Sequence, residues 1–317
     1  MTPAPQISVV INNYNYGRFL ATAVDSALAQ RDVRAEIIVV DDGSTDRSAE
    51  VIRGYGSRIT PIFQPNMGQA AAINAGVARS RAPLIAFLDA DDWWSPDKLS
   101  RVLAAHAAAP RAGLIYHRLQ PSFSDGKHAF APIPRSLCSG EMAPRLLRSG
   151  GLWPFPMTSS LTVTRAAWSK AGDIPDGFRI SADAWITGIV PFLGPVVALP
   201  DALGAYRIHD NAWYRARDDR DMLMRRVAHW QETVRVTNLA LTALRLRGQV
   251  RLRDHFDHQV AVARLGHPDA PGPLRLLWLG LRNPGEPNLA RRLRGTLRAL
   301  IHLRRDRAQL AEVIRPS

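Results

Sequence analysis

Cysteine and lysine are nearly missing from this 317-residue chain: one Cys, Cys138, and three Lys, at positions 98, 127 and 170. A single cysteine excludes an intrachain disulfide and any zinc site built on cysteine pairs. It suits a reducing compartment, and the expected location is cytoplasmic. The opening residues MTPAPQIS lack the charged and apolar regions of a signal peptide. Long apolar runs are scarce as well. The longest uncharged stretch, Ala184 to Pro200, is broken by Pro191, Gly194 and Pro195. It reads as a buried helix followed by a strand, not as a membrane span. Two nucleotide-binding fingerprints are absent: no Gly-x-Gly-x-x-Gly follows the first strand, and there is no P-loop. The glycine-rich start of sugar nucleotidyltransferases is also lacking, and no internal repeat is evident.

Apolar residues make up 46% of the chain, enough for a sizeable core. The length fits one large α/β domain with an appendage. Charge is unevenly spread. Residues 1–214 carry a net charge of +2 and residues 215–317 carry +11. The expected division is a catalytic domain over 1–214 and a basic helical extension over 215–317. A basic rear can meet anionic lipid, an anionic polymer or nucleic acid.

The densest chemistry lies in PLIAFLDADDWWSPDKL, Pro83 to Leu99. Leu84 to Leu88 is a short continuous apolar run, the pattern of a buried strand. It runs into Asp89, Asp91 and Asp92, then Trp93 and Trp94. Ser95-Pro96-Asp97 reads as a helix start, with Ser as N-cap and Pro at the first helical position. Carboxylates then sit at the carboxyl end of a strand, where open α/β sheets bind ligands. Like charges so close call for a cation or hydrogen-bond donors. Oxygen ligands suit Mg²⁺ or Mn²⁺.

Around that stretch, strand and helix alternate. Ile7 to Ile11, Glu36 to Val40 and Ile59 to Phe63 are strand-like, and helical spacing follows each. Such crossovers are long enough for a parallel sheet. Polar turns follow the first, second and fourth strands and would share one edge: Asn12 to Gly17, Asp41-Asp42-Gly43-Ser44, and the acidic turn. A carboxylate in the second turn can accept from a base N–H or ribose hydroxyls, and Tyr14 can stack on a base. Each feature alone also has a plain reading, an ordinary turn or a core tyrosine.

Together, ISVVINNYNYGRFL, EIIVVDDGSTDRS, NMGQAAAINAG and PLIAFLDADDWWSPDKL closely resemble the N-terminal half of family 2 glycosyltransferases with the GT-A fold. A thinner likeness continues through Ser159 to Ile186 and through YRIHDN, Tyr206 to Asn211. The resemblance implies a mostly parallel sheet flanked by helices, and a nucleotide-diphosphate sugar as donor. By it, Tyr14 stacks on the donor base, Asn12 lines the same pocket and Asp42 hydrogen-bonds the base. Asp89 and Asp91 match the Asp-x-Asp motif, with Asp89 at the donor and Asp91 as metal ligand. His209 reaches the metal or diphosphate. Asp183 matches the second member of a Glu-Asp pair and is the general base; the first member is Ala182 here. The Gln-x-x-Arg-Trp motif of processive members is absent, which implies single addition. The acceptor is a saccharide or lipid-linked saccharide. Two rivals stand beside this reading: an inactive nucleotide-sugar binding module, favoured by Ala182, and a nucleic-acid binder, which lacks any recognised motif. No nucleic-acid partner is expected.

In the rear, Leu289, Leu293, Leu297 and Leu300/Ile301 recur at helical spacing among Arg291, Arg292, Arg294 and Arg298. Met222 to Leu246 is also helical in pattern, and Pro268, Pro271 and Pro273 mark a linker. The leucine face is either a cap packed on the catalytic domain or a peripheral contact with anionic membrane on its cytoplasmic side.

Overall fold

The computed structural model describes residues 3–179, 181–209 and 219–314, with side chains through Asp306. Asp210 and Asn211, the end of the YRIHDN segment, lie outside the described residues, as does the expected 214/215 boundary. The chain forms two compact units: Met1–Met142 with Phe155–Arg215, and Ala143–Pro154 with Ala216–Ser317.

The first unit is built on a mixed sheet. Its strands are β1 (Ile7–Asn13), β2 (Ala35–Asp41), β3 (Thr60–Phe63), β4 (Leu84–Asp89), β5 (Trp93–Trp94), β6 (Leu114–Ser122), β7 (Leu161–Thr164) and β8 (Val196–Arg207). They lie in the order β3-β2-β1-β4-β7-β6-β8-β5. The first four are mutually parallel, joined through β1 with Val10 opposite both Ile38 and Phe87. β7 runs antiparallel between β4 and β6, and β6 pairs parallel with β8.

Alternation along the strands sends side chains to two faces. Val9, Ile11, Ile37, Val39, Leu84, Ala86 and Leu88 pack with Leu20 and Val24 of α1 (Gly17–Leu28), Ile52 of α2 (Ser48–Gly54) and Leu99 of α4 (Lys98–Ala108). Ile38 and Val40 face the other way, onto Ala72 of α3 (Gln69–Arg79). Burial on both faces is why these strands read as unbroken apolar runs. Gly76 lets α3 lie against β1, because a Cβ there would come within 2.4 Å of Val10 Cγ1. The parallel half ends β2, β1 and β4 side by side, so their three polar turns share one edge.

Two short helices, α6 (Arg165–Ala171) and α7 (Asp183–Ile189), follow β7. The helix start expected with Ser95 as N-cap lies two residues further on. Trp93 and Trp94 pair antiparallel with Ala205 and Gly204. Ser95 N–H then donates to Leu203 O, so this backbone belongs to the sheet and α4 begins at Lys98. Its N-cap residue, Asp97, makes no side-chain cap. Gln30 Oε1, from beyond α1, accepts from Leu99 N–H at 2.8 Å instead.

The second unit is helical: α5 (Ala143–Ser149), α8 (Arg220–Ala243), α9 (Phe256–Arg264), α10 (Pro273–Arg282) and α11 (Leu289–Ile314). Pro273 belongs to the first turn of α10, where its missing N–H costs nothing. Ala263, Leu276 and Leu303 form its buried cluster, with Val260, Ala270 and Leu300 around them. Gly280 brings α10 onto α11, since a Cβ there would meet Thr296 Oγ1 at 2.2 Å.

Candidate active site

The three turns are tied through their backbones. Asp42 N–H donates to Asn13 O at 2.9 Å and Ala90 N–H to Asn12 O at 3.2 Å. Side chains lock the first two turns further. Ser44 Oγ accepts from Asn15 N–H and donates to Asp41 Oδ1, and Asn15 Oδ1 accepts from Thr45 N–H. Asn15 sits at φ +58°, a left-handed turn that asparagine tolerates. Tyr14, next to it, is 46% exposed at the rim and is not a core residue. Asp42 is buried. Its Oδ1 accepts from Gln64 Nε2 and Met67 N–H, and its Oδ2 from Gly68 N–H at 2.7 Å. It therefore anchors the loop that leads into α3.

Asp89 and Asp91 are half-buried and Asp92 is fully buried; carboxylate oxygens of the three lie within 4.8 Å of one another. Their environments differ. Asp92 Oδ2 accepts from Ser159 Oγ at 2.6 Å and its Oδ1 from Arg207 N–H at 2.9 Å. Both its oxygens therefore serve the fold. Burial, with Asp91 and Asp89 beside it, holds Asp92 well above the carboxylate range. Asp91 Oδ2 meets His209 Nε2 at 2.9 Å, and Arg207 Nε donates to Asp91 O at 2.6 Å. The Arg207 guanidinium lies between the rings of Phe19 and Trp93, 4.6 and 4.4 Å from their centroids. Tyr16 packs edge-on to His209, and its phenol is pushed up to about 12 by burial and by Asp91 and Asp89.

Asp89 Oδ1 accepts from Asn12 Nδ2 and from Gln69 Nε2, each at 3.0 Å. Burial raises this carboxyl to about 7, with Asp91 as the next cause and Asp183 a smaller one. Hydrogen bonds from Asn12 and Thr158 oppose the rise. The Asn12 amide is oriented by that carboxylate, and its Oδ1 is buried with no hydrogen-bond partner among the described residues.

Asp183 is the first residue of α7 and is buried. Burial lifts its carboxyl to about 6, against the backbone N–H groups of Ala184, Thr158 and Asp183 itself. Gln69 links it to the acidic turn. Gln69 Oε1 accepts from Ala182 N–H at 3.0 Å while its Nε2 donates to Asp89. Thr158 lies beside both carboxyls and favours their ionised forms. The rest of α3 holds the approach to Asp183. Asn74 makes two hydrogen bonds to the backbone of Ile174, and Gln69 and Ala70 N–H donate to Arg179 O and Phe178 O.

The structure thus brings Asn12, Asp89, Asp91, Asp183 and His209 to one carboxyl edge, with Tyr14 at its rim and Asp42 beneath a bordering loop. Sequence reasoning did not give roles to Gln69, Thr158, Ser159, Tyr16 or Arg207. Gln69 and Arg207 lie inside the strings quoted above, so motif position was their available signal. Thr158 had none.

Residues 8–148 match the family described as Glycosyl transferase family 2. An uncharacterized glycosyltransferase, alr2836, of Nostoc sp. is 40% identical over 209 residues, covering 64% of this chain and 65% of that protein. The succinoglycan biosynthesis protein ExoU of Rhizobium meliloti is 43% identical over 144 residues, 41% of this chain and 40% of that one. This chain therefore spans less than two thirds of either relative. Among solved structures, mannosyltransferase PcManGT from Pyrobaculum calidifontis, in complex with GDP-Man and Mn²⁺, aligns over 98% of this chain and 80% of its own. The TM-score is 0.54 at 18% identity, a likeness of fold.

Proposed function

We propose that this chain, whose residues 8–148 form a glycosyl transferase family 2 domain and whose fold is GT-A, moves a sugar from a nucleotide-diphosphate donor to an acceptor hydroxyl with inversion. One observation carries the reading: Asp183, a buried carboxyl, opens α7 directly after Ala182, whose N–H is tied through Gln69 to Asp89 at the end of β4. A hydroxyl is a poor nucleophile near neutral pH, so a carboxylate must take its proton as the new bond forms. Asp183 is that base. Its position at a helix start keeps the ionised form available despite burial. One base opposite the leaving group gives inversion.

Tyr14 at the rim stacks on the donor base. Asn12 lines the same pocket, its amide held by Asp89. Asp42 acts there by holding the Asn66–Gly68 loop and by its remaining acceptor capacity.

The residues fit a divalent cation. Asp89 and Asp91 bring carboxylate oxygens within 4.8 Å of one another, and His209 Nε2 meets Asp91. Asp91 and His209 would hold Mg²⁺ or Mn²⁺, with Asp89 at the donor. When bound, such an ion neutralises charge on the leaving diphosphate. Arg207 and Ser159 keep the acidic turn in place.

The acceptor is a saccharide or lipid-linked saccharide, and the reaction is a single addition in surface or exopolysaccharide synthesis on the cytoplasmic side. The naming of ExoU for succinoglycan biosynthesis supports that context. No described helix is long and apolar enough to cross a membrane. Ala182 leaves Asp183 without the family's glutamate. The buried carboxyl speaks against a binding-only module.

The test compares Asp91→Asn with Asp183→Asn. Calorimetry with a nucleoside diphosphate and Mn²⁺ is expected to lose metal-dependent binding in the first and keep it in the second. The second instead loses turnover, by roughly a hundredfold or more. Near wild-type turnover in Asp183→Asn would assign the base elsewhere.

A further inference from the structure

Helix α11 is apolar on two sides. Thr296, Leu300 and Leu303 turn inward, toward α10 and α9. The leucine row read from the sequence splits at Leu300. Leu289, Leu293, Leu297 and Ile301, each four residues apart, stay 62, 42, 57 and 52% exposed. On α10, Leu276, Leu279 and Gly280 are buried while Leu274 and Trp278, also four apart, are 82 and 56% exposed. Scattered exposed leucines are ordinary. Six large apolar side chains at helical spacing on two packed helices are not.

The charge around them has one sign. Arg275 and Arg282 lie on α10, and Arg291, Arg294, Arg298, Arg304 and Arg305 on α11. Asp306 is the one carboxylate among the described side chains of α11, and Arg264 takes it at 2.6 Å. The Arg282 guanidinium sits 5.1 Å from the Trp278 ring centroid, an aromatic with its cation at hand.

We propose that this face docks on an anionic phospholipid bilayer. Leu289, Leu293, Leu297, Ile301, Leu274 and Trp278 enter the headgroup–acyl boundary. The arginines meet lipid phosphates. Charge complementarity selects this occupant. A second copy of the chain would bring arginine against arginine. Nucleic acid would satisfy the arginines and leave the leucines in water. The attachment is independent of the transfer chemistry.

Co-sedimentation of the full chain with phosphatidylcholine vesicles, with and without phosphatidylglycerol, decides the matter. Binding is expected only to the anionic vesicles, and it weakens as salt rises. Leu293→Ser with Leu297→Ser keeps every charge and is expected to lower the partition at least about tenfold. Both side chains are exposed, so melting is unchanged. Leu239→Ser, on the equally exposed Leu239 of α8, is the matched control and binds as wild type. Arg294→Gln with Arg298→Gln weakens binding and its salt dependence. The proposal is overturned if the wild type stays in the supernatant at low salt, or if the serine pair binds as well as wild type. Sedimentation velocity provides the last arm: dimers that the serine pair abolishes, without vesicle binding, would make the face a self-association surface. Donor hydrolysis by the same variants stays at the wild-type rate, which separates this test from that of the transferase.

Discussion

At the scale of single residues, Gln69 holds an unusual place. Ala182 N–H can only donate, so the amide oxygen of Gln69 must face it, and the amide nitrogen must face Asp89. One side chain thus sets the distance between the acidic turn and the start of α7. Gln69→Ala is expected to lower kcat by roughly 10- to 100-fold, the usual scale for groups that orient a site from behind. Donor KM and the melting temperature should move little. Gln69→Glu keeps an acceptor for Ala182 but sets a carboxylate against Asp89, and should lose more activity than the alanine variant. A kcat within twofold of wild type in both would reduce Gln69 to a packing role. The proposed base, Asp183, predicts a pH profile. Burial raises Asp183 to about 6, so it is protonated and idle below that pH and ionised above it. Turnover at saturating donor should rise through about pH 6 and level off. The residual turnover of Asp183→Asn should lack that limb.

At the scale of elements, legibility followed locality. β1, β2 and β4 were readable because both faces are buried, which leaves β-branched and apolar runs in the chain. Their turns were readable because Asn, Asp and Gly cluster after them. What escaped was set by distant partners. Trp93-Trp94 became a strand through β8, more than a hundred residues on, and this displaced the start of α4. Gln69 and Thr158 gained meaning only when α3 and the loop before β7 met the acidic turn. The leucine row of α11 was legible as a row, but its exposure was not. Lys98 is another case. As a charged residue opening a helix it reads as solvated, yet it is fully buried. Its Nζ lies 3.6 Å from the Trp94 ring centroid and 3.4 Å from Thr162 Oγ1. Burial drives its pKa well below the usual value. The folded chain therefore holds this proton less tightly than the unfolded chain does, and folding bears that cost. The cost fades as pH rises toward the unfolded pKa. Lys98→Met fills the same space without an ammonium group. It should stabilise the protein at pH 7 by on the order of 1–2 kcal/mol. Thermal melts should show a smaller gain at pH 9.5. A variant that melts below wild type at both pH values would mean that the lysine nitrogen makes stabilising contacts.

For the whole molecule, the two compact units differ in chemistry. Every residue of the candidate site belongs to the first unit, and the excess of +11 over residues 215–317 belongs mostly to the second. Ligand should therefore act on the first unit. The acidic turn gathers three carboxyls, and an added cation relieves their repulsion while giving a diphosphate something to bind. A ligand that binds only the folded state stabilises it by about 2.7 kcal/mol at a hundredfold excess over Kd. For a unit of this size that corresponds to roughly 5–10 °C in melting temperature. Thermal shift should therefore show a rise of that order with one of UDP or GDP in the presence of Mn²⁺. The rise should shrink with EDTA and be absent in Asp91→Asn. Mn²⁺ alone should give a smaller rise, because the proposed ligands Asp91 and His209 would hold it without the diphosphate. The base that gives the larger shift names the donor's nucleotide. If neither nucleotide moves the melting temperature in Mn²⁺, or if Asp91→Asn responds as wild type does, the acidic turn is a structural feature and the donor site must be sought elsewhere on the sheet edge.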